Sequence, residues 1–199
     1  MAKRSAPEVN AGSMADIAFL LLIFFLVTTT IETDTGLNRK LPPIDDSEVK
    51  PPVIRERNIF TVNINRHNQL LVEDQLMELK DLRKAAVEFL DNGGGVAPDD
   101  CTYCKGKKDP HSSDNPDKAI ISLKSDRETK YATYISVQNE LVAAYNQLRD
   151  RRATELYGKT LKEMEANYSD VNWTGDKVAL KERIERVKIE YPQKLSEVQ

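Results

Sequence analysis

An uninterrupted apolar run near the N-terminus constrains this chain more than any other feature. Residues Ile17–Val27 are eleven consecutive apolar side chains, and small and hydroxyl residues on either side extend the helix-compatible segment to 11–31. A helix of that length spans about 31 Å, which matches the roughly 30 Å hydrocarbon core of a bilayer. The sequence therefore predicts a single membrane-spanning helix at 11–31, preceded by a short tail at residues 1–10.

Two other interpretations of the apolar run fit less well. A secretory signal peptide would account for Lys3 and Arg4, but no small-residue cleavage site follows the run. A buried helix of a soluble core would need a large protein around it. The rest of this chain is polar, with 31% charged residues overall and a mean hydropathy of −0.54. The slightly basic tail favours a cytoplasmic N-terminus.

Composition excludes several classes of function. The 29 basic and 32 acidic residues give a net charge of −3, so the chain lacks the basic field that nucleic-acid binding requires. Two cysteines and two histidines are too few for a rich metal framework. No nucleophile elbow, zinc-protease motif or phosphate-binding loop is present. We therefore expect a non-enzymatic protein without cofactor, metal or nucleic acid.

A carboxylate, Asp16, stands at the head of the apolar run. Ionisable groups at membrane depth are costly and usually face a bundle interior or a wet cavity. Removal from water favours the neutral form of a carboxylate, so such a group can take up a proton from one side and release it to the other. The membrane potential supplies about 2.3 kcal/mol per charge per 100 mV. This energy is comparable with the cost of holding a charged carboxylate out of water. The alternative is an aspartate at the water interface that only sets the depth of the helix.

The polar remainder predicts an extended linker and an α+β domain. Residues 32–57 contain the pairs Pro42-Pro43 and Pro51-Pro52, which favour extended chain. From residue 58 onward, periods of two and of 3.6 residues alternate. In order, they predict hairpin strands at 58–65 and 69–73, a helix at Leu76–Leu90, a buried strand at 118–124 and a helix at Thr133–Leu148. This ββαβα order favours a small mixed sheet with helices on one face.

Two further regions complete the domain at 58–199. Residues 92–117 form a loop-like insertion with Cys101 and Cys104 in a C-x-x-C, which predicts a local disulfide in an oxidising compartment. A zinc site and a redox-active pair are the alternatives. The C-terminal extension predicts a charged helix from Leu148 to Tyr168 that Gly158 can break, a helix from 177 and a final edge strand at 194–198.

Several of these segments resemble the ExbD/TolR family, the small subunits of proton-driven inner-membrane motors. The resemblance lies in Asp16 heading the apolar run, in Leu41-Pro42 after Gly36–Lys40, and in the acidic turn Asp126–Tyr131 that opens a helix. It is good over 10–43, fair over 58–91 and 118–148, and poor over 92–117 and beyond 150. The family often has proline where Ser13 stands.

The resemblance implies a function and a set of partners. Asp16 would carry the proton, and two copies of the helix would sit inside a pentameric, polytopic ExbB-like ring in the bacterial inner membrane. The periplasmic domain would pass force to a TonB-like protein and so energise transport across the outer membrane. Leu37, Leu41 and Pro42 would belong to a gating or docking linker, for which a plain spacer is the alternative. The helix residues expected near partner subunits are Ser13, Phe19, Leu20, Ile23 and Thr28.

Two other functions share the same anchor. A TolR-like subunit would serve envelope integrity, and a membrane-tethered adaptor would use Asp16 without ion conduction.

Overall fold

The computed structural model describes residues 11–28 and 54–198. The chain divides into two compact units, one within residues 1–49 and one within residues 50–199. Each is described by itself. The predicted tail at 1–10 and the predicted linker residues Leu37, Leu41 and Pro42 lie outside the described residues.

The N-terminal unit contains one helix, α1, over Ala11–Thr28. It begins at the residue that the sequence predicts, and its 18 residues are about 27 Å long. The last three residues of the predicted segment lie outside the described part. Within residues 11–28 and 54–198, no helix combines the length and the apolar character needed to cross a membrane.

The second unit is an α+β domain, in agreement with the sequence. A short 3₁₀ turn at Glu56–Asn58 leads into its first strand. The strands are β1 (Ile59–Ile64), β2 (Leu70–Val72), β3 (Gln75–Met77), β4 (Ile120–Ser125) and β5 (Leu195–Val198). The helices are α2 (Leu79–Leu90), α3 (Tyr131–Tyr157), α4 (Leu161–Ser169) and α5 (Lys177–Glu190).

The five strands form one mixed sheet in the order β3-β2-β1-β4-β5. The predicted hairpin is confirmed, since β1 and β2 pair antiparallel with Val62 opposite Val72. Strand β4 returns parallel to β1, with Ile59 opposite Ile120. The predicted edge strand is also confirmed, because β5 lies at the end of the sheet beside β4.

Alternation along β1 places the core on one face of the sheet. Phe60, Val62 and Ile64 are buried, whereas the residues between them are only partly so. These three side chains join a hydrophobic cluster with buried residues of α2 and α3, among them Leu82 and Leu141. Both helices therefore cover the same face, because the apolar side of an alternating strand must be shielded from water.

One predicted helix boundary is wrong. Leu76 was expected to open α2, but it lies in β3 opposite Leu71 and is 68% exposed. Glu73 and Asp74 adopt positive φ angles of 48° and 62°, which makes a tight turn and lets a third strand form. The helix then begins only at Leu79.

The helix predicted at 133–148 begins two residues early and continues as charged helix beyond Leu148, as predicted, and its predicted break is confirmed. It runs from Tyr131 to Tyr157 and stops at Gly158, whose φ of 67° suits a glycine cap. Beyond it, Thr160 and Glu163 form a reciprocal capping box at the start of α4. Asp176 caps α5, where the sequence predicts a helix start. These last helices pack with the end of α3 around a second small core that includes Ala153, Met164 and Ile184.

Candidate functional site

Helix α1 carries the carboxylate that the sequence singles out. Asp16 lies in its second turn and is exposed. The large apolar side chains that follow are exposed as well, including Phe19 (60%), Leu20 (57%) and Ile23 (42%). Apolar surface of this extent around a whole helix requires either lipid or partner helices to cover it.

Helical geometry brings most of the predicted lining positions to the face of Asp16. At 100° per residue, positions 13, 19, 20 and 23 lie within about 60° of Asp16 around the helix axis. Thr28 does not share that face, because it is about 120° around the axis and about 18 Å further along. The helix therefore groups four of the five predicted lining positions with the carboxylate.

Nothing within α1 can neutralise Asp16. Residues 11–28 contain no lysine, arginine or histidine, and the rest of the helix is apolar, small or hydroxyl-bearing. An ion pair with a basic residue of α1 itself, of the kind that fixes acidic residues in folded cores, is therefore not available to this carboxylate.

A second site, which sequence reasoning missed, lies where the linker joins the domain. Asp114 is fully buried and forms an ion pair with Arg57, whose Nη2 lies 2.5 Å from Oδ1. Among the described residues, neither Asp114 Oδ1 nor Arg57 Nε makes a hydrogen bond. Asn58 Nδ2 donates to the other carboxylate oxygen of Asp114 at 3.0 Å, and the backbone N–H of Asp114 donates to Asn58 Oδ1 at 2.8 Å. Arg57 also donates to the carbonyl of Pro110 at 2.9 Å. We call this group, Arg57, Asn58 and Asp114, the junction clamp.

The insertion at 92–117 supports the junction clamp. Cys101 and Cys104 form a disulfide, and both are buried. Gly93 has a φ of 65°, and a Cβ atom there would lie 2.7 Å from the Cβ of Cys104, so only glycine fits this contact. The side chain of Asn92 donates to the carbonyls of Asp109 and Ser113 at 2.8 and 2.9 Å. The insertion is therefore internally bonded despite having no helix or strand within its described residues.

A third group of residues fastens α3 and the end of α5 to α2. Arg151 donates two hydrogen bonds of 2.7 Å to Asp91, and the hydroxyl of Tyr191 donates to the same carboxylate at 2.8 Å. The bond to Asp91 raises the pKa of Arg151, and burial, followed by the hydrogen bond to Asp91, raises the pKa of Tyr191. We call Asp91, Arg151 and Tyr191 the helix lock.

The insertion also reaches the helix lock region. The hydroxyl of Tyr103 donates to the carbonyl of Glu190 at 2.8 Å, and its ring lies against Tyr191 and below Arg152. Burial, strengthened by Glu190, raises the pKa of Tyr103 to about 12. Lys105 forms a close ion pair with Glu155, and this bond lowers the pKa of the Glu155 carboxyl. The insertion thus contacts both the start of the domain and its C-terminal helices.

No metal centre is evident in the described part of the chain. Both cysteines of the C-x-x-C are in the disulfide, and no three metal-ligating side chains come together among residues 11–28 and 54–198. The partners in the junction clamp are 56 positions apart in the chain, so no local pattern could have indicated it.

Comparison with known proteins places the chain in a family. The family described as biopolymer transport protein ExbD/TolR matches residues 2–149, which include α1 and most of the described domain. The biopolymer transport protein ExbD of Helicobacter pylori (strain ATCC 700392 / 26695) is 23% identical over 138 residues, covering 69% of this chain and 85% of that protein. The family description concerns transport rather than catalysis. With the match extending over well more than half of its length, the chain belongs to the ExbD/TolR family.

Proposed function

We propose that this protein is the proton-carrying and force-transmitting subunit of an ExbB-ExbD-type motor. Residues 11–31 anchor it in the bacterial inner membrane with the N-terminus in the cytoplasm, and the domain works in the periplasm. The motor uses the proton motive force to energise transport across the outer membrane. The observation that carries this proposal is Asp16, an acid on an apolar helix that offers no cation of its own.

Proton transfer follows from the surroundings that α1 requires. Covering its exposed apolar surface brings Asp16 out of bulk water, which disfavours the charged form. Loading a proton from one side then removes the cost of the charge, and release to the other side restores it. Partner helices of a polytopic ring supply the polar groups that accept the charged state, and a second copy of α1 occupies the same ring.

The periplasmic domain is suited to passing force onward. It has a continuous core and a five-stranded sheet, so a pull at one end reaches the other with little internal deformation. The recipient in this proposal is a TonB-like periplasmic protein. The name of the H. pylori relative, a biopolymer transport protein ExbD, favours this transport role over a TolR-like role in envelope integrity.

Asp16→Asn tests the proposal directly, because asparagine is nearly isosteric but cannot ionise. In cells whose native copy is deleted, we expect energised uptake through outer-membrane receptors to fall to the level of the deletion strain. Co-purification with the ring subunit should be unchanged. Asp16→Glu, which keeps an ionisable group one methylene further out, should retain part of the uptake.

Met14→Asn provides a matched control. It introduces the same amide near the same depth, but about 160° around the helix from Asp16, and Met14 is 61% exposed. Uptake should survive this change. Normal energised uptake with Asp16→Asn would refute proton carriage and leave the tethered adaptor.

A further inference from the structure

We propose that the junction clamp is the point at which mechanical load enters the folded domain, and that the insertion at 92–117 spreads this load to the rest of the domain. The inference rests on the proposed function, in which the linker pulls on the domain. It assigns Arg57 and Asp114 as positioning residues for force transmission.

Chain order supports the first part. A pull transmitted from the N-terminal side reaches Arg57 and Asn58 before it reaches Ile59, the first residue of β1 paired with β4. The first long-range contacts to resist it are therefore those with Asp114. Without them, tension would act directly on the end of the β1–β4 ladder.

The geometry of the clamp is suited to bearing load. Asp114 is fully buried and is held by the 2.5 Å ion pair to Arg57 and by two hydrogen bonds shared with Asn58. Arg57 bonds the insertion a second time at the carbonyl of Pro110. The bond from Asn58 Nδ2 to the carboxylate is charge-assisted, and such bonds are about twice as strong as neutral ones; the ion pair with Arg57 adds its attraction to it.

The insertion continues from the clamp in two directions. On one side it runs directly into β4, the strand beside β1. On the other, its cystine packs against Gly93 at the end of α2, while Tyr103 and Lys105 bond to Glu190 and Glu155. Load taken up at Asp114 therefore reaches the sheet, α2 and the C-terminal helices together.

The helix lock provides a matched control for this role. Asp91 is also a buried acid held by an arginine, with two bonds of 2.7 Å from Arg151. It contributes to stability as Asp114 does, but its side chain bonds to Arg151 and Tyr191 and to no residue of 54–58. Asp114→Asn and Asp91→Asn should therefore weaken folding similarly and differ in force transmission.

The experiment uses full-length protein assembled with its ring subunit, at a temperature where both variants remain folded by Trp173 fluorescence. Energised uptake in cells should fall by about tenfold with Asp114→Asn, as expected for loss of a charged contact. It should change less than about twofold with Asp91→Asn. Proton uptake by reconstituted complexes should be unchanged in both. Arg57→Lys, which keeps the charge but replaces the planar guanidinium group, should give an intermediate loss of uptake.

A direct measurement pulls single full-length molecules between the N-terminal helix and the C-terminus. The opening force should be lower for Asp114→Asn than for Asp91→Asn. Equal opening forces and equal uptake for the two variants would overturn the inference, as would a loss of proton uptake with Asp114→Asn. Failure of the proposed function is distinguishable, because it would appear as normal uptake with Asp16→Asn.

Discussion

The aspartates of the two units stand in opposite surroundings. Asp16 lies on a helix without a basic residue, whereas Asp91 and Asp114 are buried and paired with arginines. The arginine partners hold the two domain acids in position. Asp16 has no such partner on its own helix. The difference teaches that the partners of an aspartate, rather than the residue type, decide whether the fold holds its side chain in place.

The largest expected contrast is in stability. Asp91→Ala leaves Arg151 partly buried without its carboxylate, and loss of one partner of a buried pair costs about 3–5 kcal/mol. Asp16→Ala should leave the unfolding free energy of the domain unchanged. Urea unfolding of the full-length chain in detergent, followed by the fluorescence of the lone Trp173, measures both.

A double-mutant cycle with Arg151→Ala sharpens this contrast. If Asp91 and Arg151 act as a pair, the double variant should lose much less than the sum of the single losses. Additive losses would mean that the helix lock does not stabilise the domain as a unit.

A smaller effect is expected from the disulfide. Replacing both Cys101 and Cys104 with serine opens a loop of four residues, for which chain entropy gives a loss of about 2 kcal/mol. A reductant should lower the unfolding free energy of the wild-type protein by a similar amount and leave that of the double variant unchanged. A reductant effect on the double variant would show that another process is being measured.

The sequence predicts a structural feature well when the residues that determine it lie close together along the chain. The hairpin, β4, β5, the helix end at Gly158 and the helix start at Asp176 follow from alternation, glycine and capping residues within a few positions. Strand β3 was missed because Leu76, Leu79 and Leu82 also have helical spacing. The turn at Glu73-Asp74 requires two non-glycine residues with positive φ, which propensity does not indicate.

The sites divide in the same way. Asp16 could be identified because a single acid beside an apolar run is visible locally. The junction clamp and the helix lock could not, because their partners come from separate segments that meet only after the sheet and helices have assembled. Arginine and aspartate are also common on surfaces, so composition gives no indication of which ones are buried.

Unfolding at alkaline pH tests the domain alone, because it depends on buried tyrosines that do not ionise near neutrality. Burial raises the pKa of Tyr103 to about 12 and raises those of Tyr145 and Tyr191. A raised pKa in the folded state gives stability that is complete below the unfolded value of about 10 and is lost as pH rises through the folded value. Absorbance at 295 nm and Trp173 fluorescence should therefore show late-titrating tyrosines whose ionisation coincides with unfolding. Ionisation of all seven tyrosines near pH 10 in a folded domain would contradict this.

The smallest expected effect concerns Leu76, which the helical spacing would bury and β3 leaves 68% exposed. Because the Leu76 side chain stays mostly in contact with water in the folded protein, Leu76→Lys should change the unfolding free energy by no more than about 0.5 kcal/mol. Leu82→Ala is the matched comparison, because Leu82 is fully buried in α2 and its truncation should cost about 2–5 kcal/mol. Urea titrations of both variants decide the point. A loss for Leu76→Lys as large as that for Leu82→Ala would place Leu76 in the core and restore the longer helix.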